Sequence, residues 1–153
     1  MDTDQEFNAR LVAQLSIEEG VKTKVYLDPK GIPTIGVGRN LRDKGLKPNE
    51  IAMLLSDDIN DSLVFLSQFL WFKGQNDPRQ AALIDMSFMG FDRLLGFVHM
   101  IHFLDIGDFQ SAHDECVNSQ WFTDVGPGRG NRVANMLLTG AWPADIPFNP
   151  PSA

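Results

Sequence analysis

The spacing of apolar residues changes along the chain from helical to alternating and back to helical, and that order predicts the fold class. From Asn8 to Glu19, Leu11, Val12, Leu15 and Ile17 fall mainly on one helical face, and Gly20 supplies a C-terminal stop. Glu18 and Glu19 thus lie in the last turn. Acidic side chains there meet the negative end of the helix dipole, an arrangement that costs stability. The following stretch, KVYLDPKGIPTIGVGRN from Lys24 to Asn40, mixes β-branched and aromatic residues with glycines. Asp28-Pro29-Lys30-Gly31 has the composition of a type I turn, and Pro29 biases Asp28 towards extended backbone. The segment is predicted to be a β-hairpin.

After a polar connector, Pro48 and Glu50 suit the first turn of a helix, although Lys47 is a poor cap. Ile51, Leu54, Leu55, Ile59, Leu63, Leu66 and Leu70 then keep a helical stripe, and the surround of that stripe turns apolar from Leu63 to Phe72. Asp77-Pro78 with Gln80 forms an N-terminal helix signature with Asp77 as the cap, and the helix beyond it, RQAALIDMSFM, is apolar enough to be central and buried. Gly90 ends it. Short helices are expected at Leu94 to Leu104, Asp108 to Ser119 and Asn131 to Leu138, and a proline-rich extended tail from Pro143 to Ala153. The fold class is therefore α+β, with a small sheet near the front.

At 153 residues and 17.1 kDa the chain suits one domain, residues 1–153. It is expected to be built from a front lobe of about 16–60, a helical lobe of 1–15 with 61–142, and the tail. Cys116 cannot form an internal disulfide, and its helical surroundings give it the role of a small buried apolar residue. No apolar run is long enough to span a bilayer, and Met1 to Arg10 is polar and acidic, so neither stable membrane insertion nor an export signal is expected. A net charge of −7 leaves no basic stripe for binding nucleic acid. It also opposes an anionic substrate, but net charge acts on long-range steering and solubility, not on the field within a site.

Glu19 at a helix end and Asp28 on a hairpin turn are two carboxylates on separate rigid elements joined by a short connection. Glycoside hydrolysis uses such a pair, one protonating the leaving oxygen and the other activating water, and Thr34 on the second strand offers a hydroxyl to that water. With 20 acidic residues in the chain, spacing alone does not single out these two. The frame around them does. Glu19-Gly20, Tyr26, Asp28, Gly31, Thr34-Ile35-Gly36 and Gly38 resemble, with both intervals intact, the EG...Y.D..G..TIG.G pattern of the glycoside hydrolase family 24 lysozymes, the phage endolysin group. Weaker similarity extends through Asp77 to Gly90, Gly96-Phe97, Trp121-Phe122, Arg129 and Arg132, and Thr139-Gly140-Ala141-Trp142.

The resemblance implies a lysozyme-like fold in which a long helix joins a small β lobe to a helical lobe. It implies Glu19 as general acid, Asp28 as the water-positioning carboxylate and Thr34 as the water-holding hydroxyl. It further implies inversion at the anomeric carbon, with the carboxyl groups about 6.5 to 9.5 Å apart. By position Arg129 would pair with Glu19 and Arg132 with Glu18, while a solvated helix face is the other reading of Arg132. Asp85 stands where the family commonly has an amide, and a carboxylate in that apolar helix needs a partner, so it is expected to share Arg129 with Glu19. Phe88 either lines the floor of the cleft or belongs to the core. Arg39 stands where the family often has His, and either contacts substrate or faces solvent. The front lobe is shortened, so glycan subsites do not carry over.

Other motifs carry less. Gly36 and Gly38 lack the third glycine of a dinucleotide loop. His99, His102 and His113 lack a further ligand at metal-binding spacing, and Asp57, Asp58 and Asp61 read as a solvated face, so no metal or cofactor is expected. The expected activity is hydrolysis of peptidoglycan between N-acetylmuramic acid and N-acetylglucosamine by a monomer that waits in the host cytoplasm for a holin and then lyses the cell. The alternatives are a tail-associated lysozyme used for entry, and a lysozyme-fold binding module with weak or no hydrolysis. A lytic transglycosylase would not need Asp28 or Thr34.

Overall fold

The computed structural model describes residues 3–148. The chain divides into two compact units, Met1–Leu55 and Ser56–Ala153.

The first unit opens with helix α1 (Thr3–Glu18), which starts earlier than the apolar stripe predicts because the mostly polar run Thr3 to Asn8 continues it, aided by a Glu6–Arg10 ion pair one turn apart. The amide of Glu19 still donates to Leu15 O, and Gly20, at φ +73°, ends the helix as expected. Strands β1 (Lys22–Leu27), β2 (Pro33–Gly36) and β3 (Arg39–Asn40) then form an antiparallel sheet in the order β1-β2-β3. Tyr26 faces Thr34, Leu27 faces Pro33, and Ile35 faces Arg39. The hairpin is thus extended by a third short strand. Only Gly20 and Val21 separate the end of α1 and Glu19 from β1, which ties the helix to the sheet in the chain.

Helix α2 (Pro48–Leu66) begins at the predicted proline. Lys47, a poor cap by its side chain, is served instead by Glu50, whose Oε2 accepts the Lys47 amide at 2.6 Å, one half of a capping box. The stripe predicted to run unbroken to Leu70 stops at Leu66. Phe69 takes an extended conformation (φ −101°, ψ 130°) before the short helix α3 (Leu70–Lys73). The break leaves Leu70 81% exposed and turns Phe72 into the core.

The second unit is a helical bundle. Helices α4 (Asp77–Ser87), α5 (Phe91–Leu95), α6 (Val98–Ile106), α7 (Phe109–Val117) and α8 (Gln120–Thr139) surround a core that includes Leu66, Phe72, Leu83, Met86, Leu94, Met100, Leu104, Trp121 and Leu137. Helix α4 is central, as predicted, with Ala82, Leu83 and Met86 fully buried. Its cap is Asn76 and not Asp77: Asn76 accepts from the Arg79 amide, while its Nδ2 donates to Gly140 O, so the amide serves two helix ends at once. An aspartate could not donate that second bond. Gln80 reaches the carbonyls of Phe72 and Gln75 and so does not close a capping box.

Where three helices were expected from Leu94 onwards, α5 and α6 divide the first stretch at Gly96-Phe97, and α8 begins well before Asn131. Helix α8 is kinked at Gly126 (φ 80°, ψ 165°), and Pro127 lacks the amide needed to bridge the break. The ring of Phe122 then lies so close to Gly130 that an added Cβ would sit 2.5 Å from it. Cys116 is fully buried, and that burial pushes its thiol up to about 12. Residues 143–148 are neither helix nor strand, and a turn over 144–146 interrupts the extended run expected of the tail; 149–153 lie outside the described residues. No described helix is long and apolar enough to cross a membrane.

Candidate active site

Glu19, Asp28 and Thr34 all belong to the first unit. Asp28 is held by its own turn: its amide donates to Ile32 O at 3.0 Å, its carbonyl accepts from Gly31 N at 2.8 Å, and its Oδ1 accepts from the amides of Lys30 and Ile32, each at 2.8 Å. One carboxylate oxygen is therefore locked into the turn. The other is left to accept from a further donor.

Thr34 lies on the central strand and is buried. Strand register places Tyr26 opposite Thr34, and the Asp28 amide donates to Ile32 O just beyond the last strand pair; with residues two apart on one face, Asp28 follows Tyr26 on the Thr34 side of the hairpin. The Thr34 hydroxyl donates its only hydrogen to Ile32 O at 2.9 Å. Towards a water molecule it can then act only as an acceptor.

Glu19 follows the last residue of α1, and its carboxylate rests on the turn between β2 and β3. A Cβ added to Gly38 would stand 2.9 Å from Glu19 Oε2 and 3.2 Å from the carboxyl carbon. Gly38 also adopts φ +64°, where other residues are strained. The glycine pattern carried this signal in the sequence, but the sequence did not connect Gly38 with Glu19.

Arg39 corrects its assignment. It was expected to face substrate or solvent, yet its Nη1 and Nη2 donate to the two oxygens of Glu50 at 2.7 Å each, and its Nε donates to Gly45 O at 2.8 Å. This fork clamps β3 to the start of α2 and the connector between them. Glu50 is held below the usual carboxylate range, foremost by the Lys47 amide; burial opposes this, and the Arg39 charge and hydrogen bonds add to the lowering. Sequence spacing gave no reason to link residues on a strand and a helix.

In the second unit Arg129, assigned to Glu19 by resemblance and expected to be shared with Asp85, has its guanidinium taken up by Asp85: Nη2 lies 2.8 Å from Oδ1, Nε donates to the same oxygen, and Nη2 also reaches the Asp85 carbonyl. Arg132, assigned to Glu18 by resemblance, pairs with Asp145 at 3.0 Å. Glu18 accepts from Gln14 within α1. Phe88 caps the C-terminus of α4 and is 50% exposed, which removes it from the core.

A helical bundle accompanied by a small antiparallel sheet, with an acid after the first helix and an aspartate on a hairpin turn, defines an α+β protein of the lysozyme-like class. Sequence comparison agrees. The chain is 29% identical over 133 residues to the probable T4-type lysozyme 1 of Dictyostelium discoideum, covering 86% of this chain and 73% of that protein. It is 27% identical over 169 residues to the pre-baseplate central spike protein Gp5 of Enterobacteria phage T4, covering 90% of this chain and 29% of the spike protein. The chain thus spans less than a third of the spike protein it matches. No family model matches. The chain is homologous to a T4-type lysozyme.

Proposed function

We propose that the chain is a muramidase that hydrolyses the β-1,4 bond between N-acetylmuramic acid and N-acetylglucosamine in bacterial peptidoglycan. The supporting observation is the pre-organised hairpin: one Asp28 oxygen is locked by two amides, and the Thr34 hydroxyl on the same face is already committed as a donor. A water donating one hydrogen to the free Asp28 oxygen and one to Thr34 Oγ has its lone pair left to attack the anomeric carbon. As it attacks, Asp28 takes its proton and Glu19 protonates the departing glycosidic oxygen, so the C–O bond breaks without a free alkoxide. Attack from the face opposite the leaving group inverts the anomeric centre.

Digestion of purified peptidoglycan by the wild type, Glu19→Gln and Asp28→Asn tests this reading. Mass spectrometry should find reducing muropeptides with the wild type, and each substitution should slow their release on the order of a thousandfold. Undiminished activity in Glu19→Gln, or anhydro-muropeptides, would overturn it.

For biological use the proposal is host lysis, by a monomer that stays in the host cytoplasm until a holin admits it to the wall. The alignment with a phage spike protein favours a second reading, a tail-associated enzyme used for entry. Detection of the chain in purified virions would select the second. Lysis that requires a co-expressed holin would select the first.

A further inference from the structure

We propose that Arg39 and Glu50 are positioning residues for the acid: their ion pair fixes the β2–β3 turn on which the Glu19 carboxylate rests. The catalytic consequence rests on the function proposed above, whereas the seat itself is a feature of the first unit alone.

The turn cannot hold itself. Gly36 and Gly38 have no side chain to pack and adopt positive φ, at +67° and +64°, while Val37 between them is exposed. Strand β3 beyond the turn has two residues, paired as Ile35 with Arg39 and Thr34 with Asn40, and so short a ladder is weak without a further anchor. The Asn40 side chain is spent on Asp43, within the connector that follows β3. Arg39, the neighbour of Gly38, reaches instead to α2.

That anchor is stiff. Nη1 and Nη2 of Arg39 each hold one Glu50 oxygen, Nε holds Gly45 O, and Glu50 Oε2 also accepts the Lys47 amide. A planar fork tied at all three nitrogens has little freedom to swing. The two side chains are 23% and 29% exposed, and this partial burial with bidentate geometry separates the pair from weakly held surface ion pairs. Among the described residues of the first unit the other salt bridge joins Glu6 to Arg10, so no cation of that unit fixes Glu19 by charge. Its carboxylate is located by contact with the turn, and the turn by Arg39. Asp28 is held separately, by the amides of its own turn. Releasing Arg39 therefore moves the acid relative to the water-positioning carboxylate.

The test measures cleavage of solubilised peptidoglycan strands and the NMR signal of the Glu19 carboxyl carbon, assigned by its loss in Glu19→Gln. The variants are Arg39→Gln, Glu50→Gln and Arg39→Lys, each checked for wild-type circular dichroism. In both glutamine variants kcat should fall about tenfold while KM stays within about twofold. Arg39→Lys, which keeps the charge and loses the fork, should lose about threefold; it decides the matter if a glutamine variant does not fold. At neutral pH the Glu19 signal should move in the same direction in Arg39→Gln and Glu50→Gln, because both release the turn, whereas direct charge effects would have opposite signs. The Glu6 signal, at the far end of α1, should stay in place. Unchanged kcat in folded variants, a raised KM with kcat kept, or Glu19 signals that stay put or move in opposite directions would overturn the proposal. If the wild type cleaves no peptidoglycan, the proposed function fails, and the carboxyl signals still decide whether Arg39 and Glu50 seat Glu19.

Discussion

The carboxylate of Glu19 is seated beside Gly38, where an added Cβ would stand 2.9 Å from Glu19 Oε2 and the carboxylate would have to shift. The proposed acid is thus positioned by a missing side chain on the β2–β3 turn. Gly38→Ala should cost about 1–2 kcal/mol of stability through its left-handed backbone. Because the new methyl must also displace Glu19, peptidoglycan cleavage should fall about a hundredfold. Thermal denaturation and a muropeptide assay on the same preparation would check both, and full activity in a folded Gly38→Ala protein would show that this contact does not position the acid.

The Arg39–Glu50 clamp should make the first unit sensitive to acid. The Glu50 carboxyl is lowered from its ordinary value of 4.5 by the Lys47 amide and Arg39, so the folded state binds fewer protons than the unfolded state near that pH. Its stabilisation is therefore present above the ordinary value and is lost as pH falls through the lowered one. Urea denaturation of the wild type and Glu50→Gln should differ near about pH 6 and converge near about pH 3. A difference independent of pH would refute the assignment.

Arg79 should matter far more to stability than the exposed Arg129–Asp85 pair. It donates to Leu137 O and Leu138 O at the end of α8, and its guanidinium lies 3.4 Å over the Phe109 ring. Arg79→Leu should cost about 2–4 kcal/mol in chemical denaturation. Arg79→Lys should recover only part, since an ammonium cannot serve two carbonyls and a ring face with the same planar fork. Asp85→Asn, at a surface where both partners are about two-fifths exposed, should cost at most about 1 kcal/mol.

Cys116 should be silent to thiol reagents in the native protein. Its thiol is raised to about 12 by burial from an ordinary value of 9.0, so iodoacetamide at mildly alkaline pH should label the folded chain roughly three orders of magnitude more slowly than the unfolded one. Fast native labelling, read by mass spectrometry, would contradict the packing of α7.

Local chemistry was legible in the sequence wherever the cause is local. The Asp28 turn, the stop at Gly20, the start of α2 at Pro48 and the buried face of α4 each follow from residues within one turn or one helical repeat, and the structure has all four. The roles of Glu19, Asp28 and Thr34 were not legible from local causes, since spacing alone does not separate them from the other acidic residues; the resemblance of the frame around them supplied those roles as expectations. What the sequence left open depends on partners distant in the chain. The break before Phe69 reflects the need to bury Phe72 rather than Leu70; the Asn76 cap reflects a carbonyl at Gly140; Arg39 is claimed by Glu50; and the seat of Glu19 exists because Gly38 arrives beside it. Periodicity and turn propensity are properties of neighbouring residues, so the sequence by itself determined most of the elements and their order, but not β3, the break before α3, the division of α5 from α6 or the start of α8. Which guanidinium meets which carboxylate, and which glycine must stay bare, was decided only by tertiary packing, because those contacts are chosen by proximity in space and leave no period in the chain.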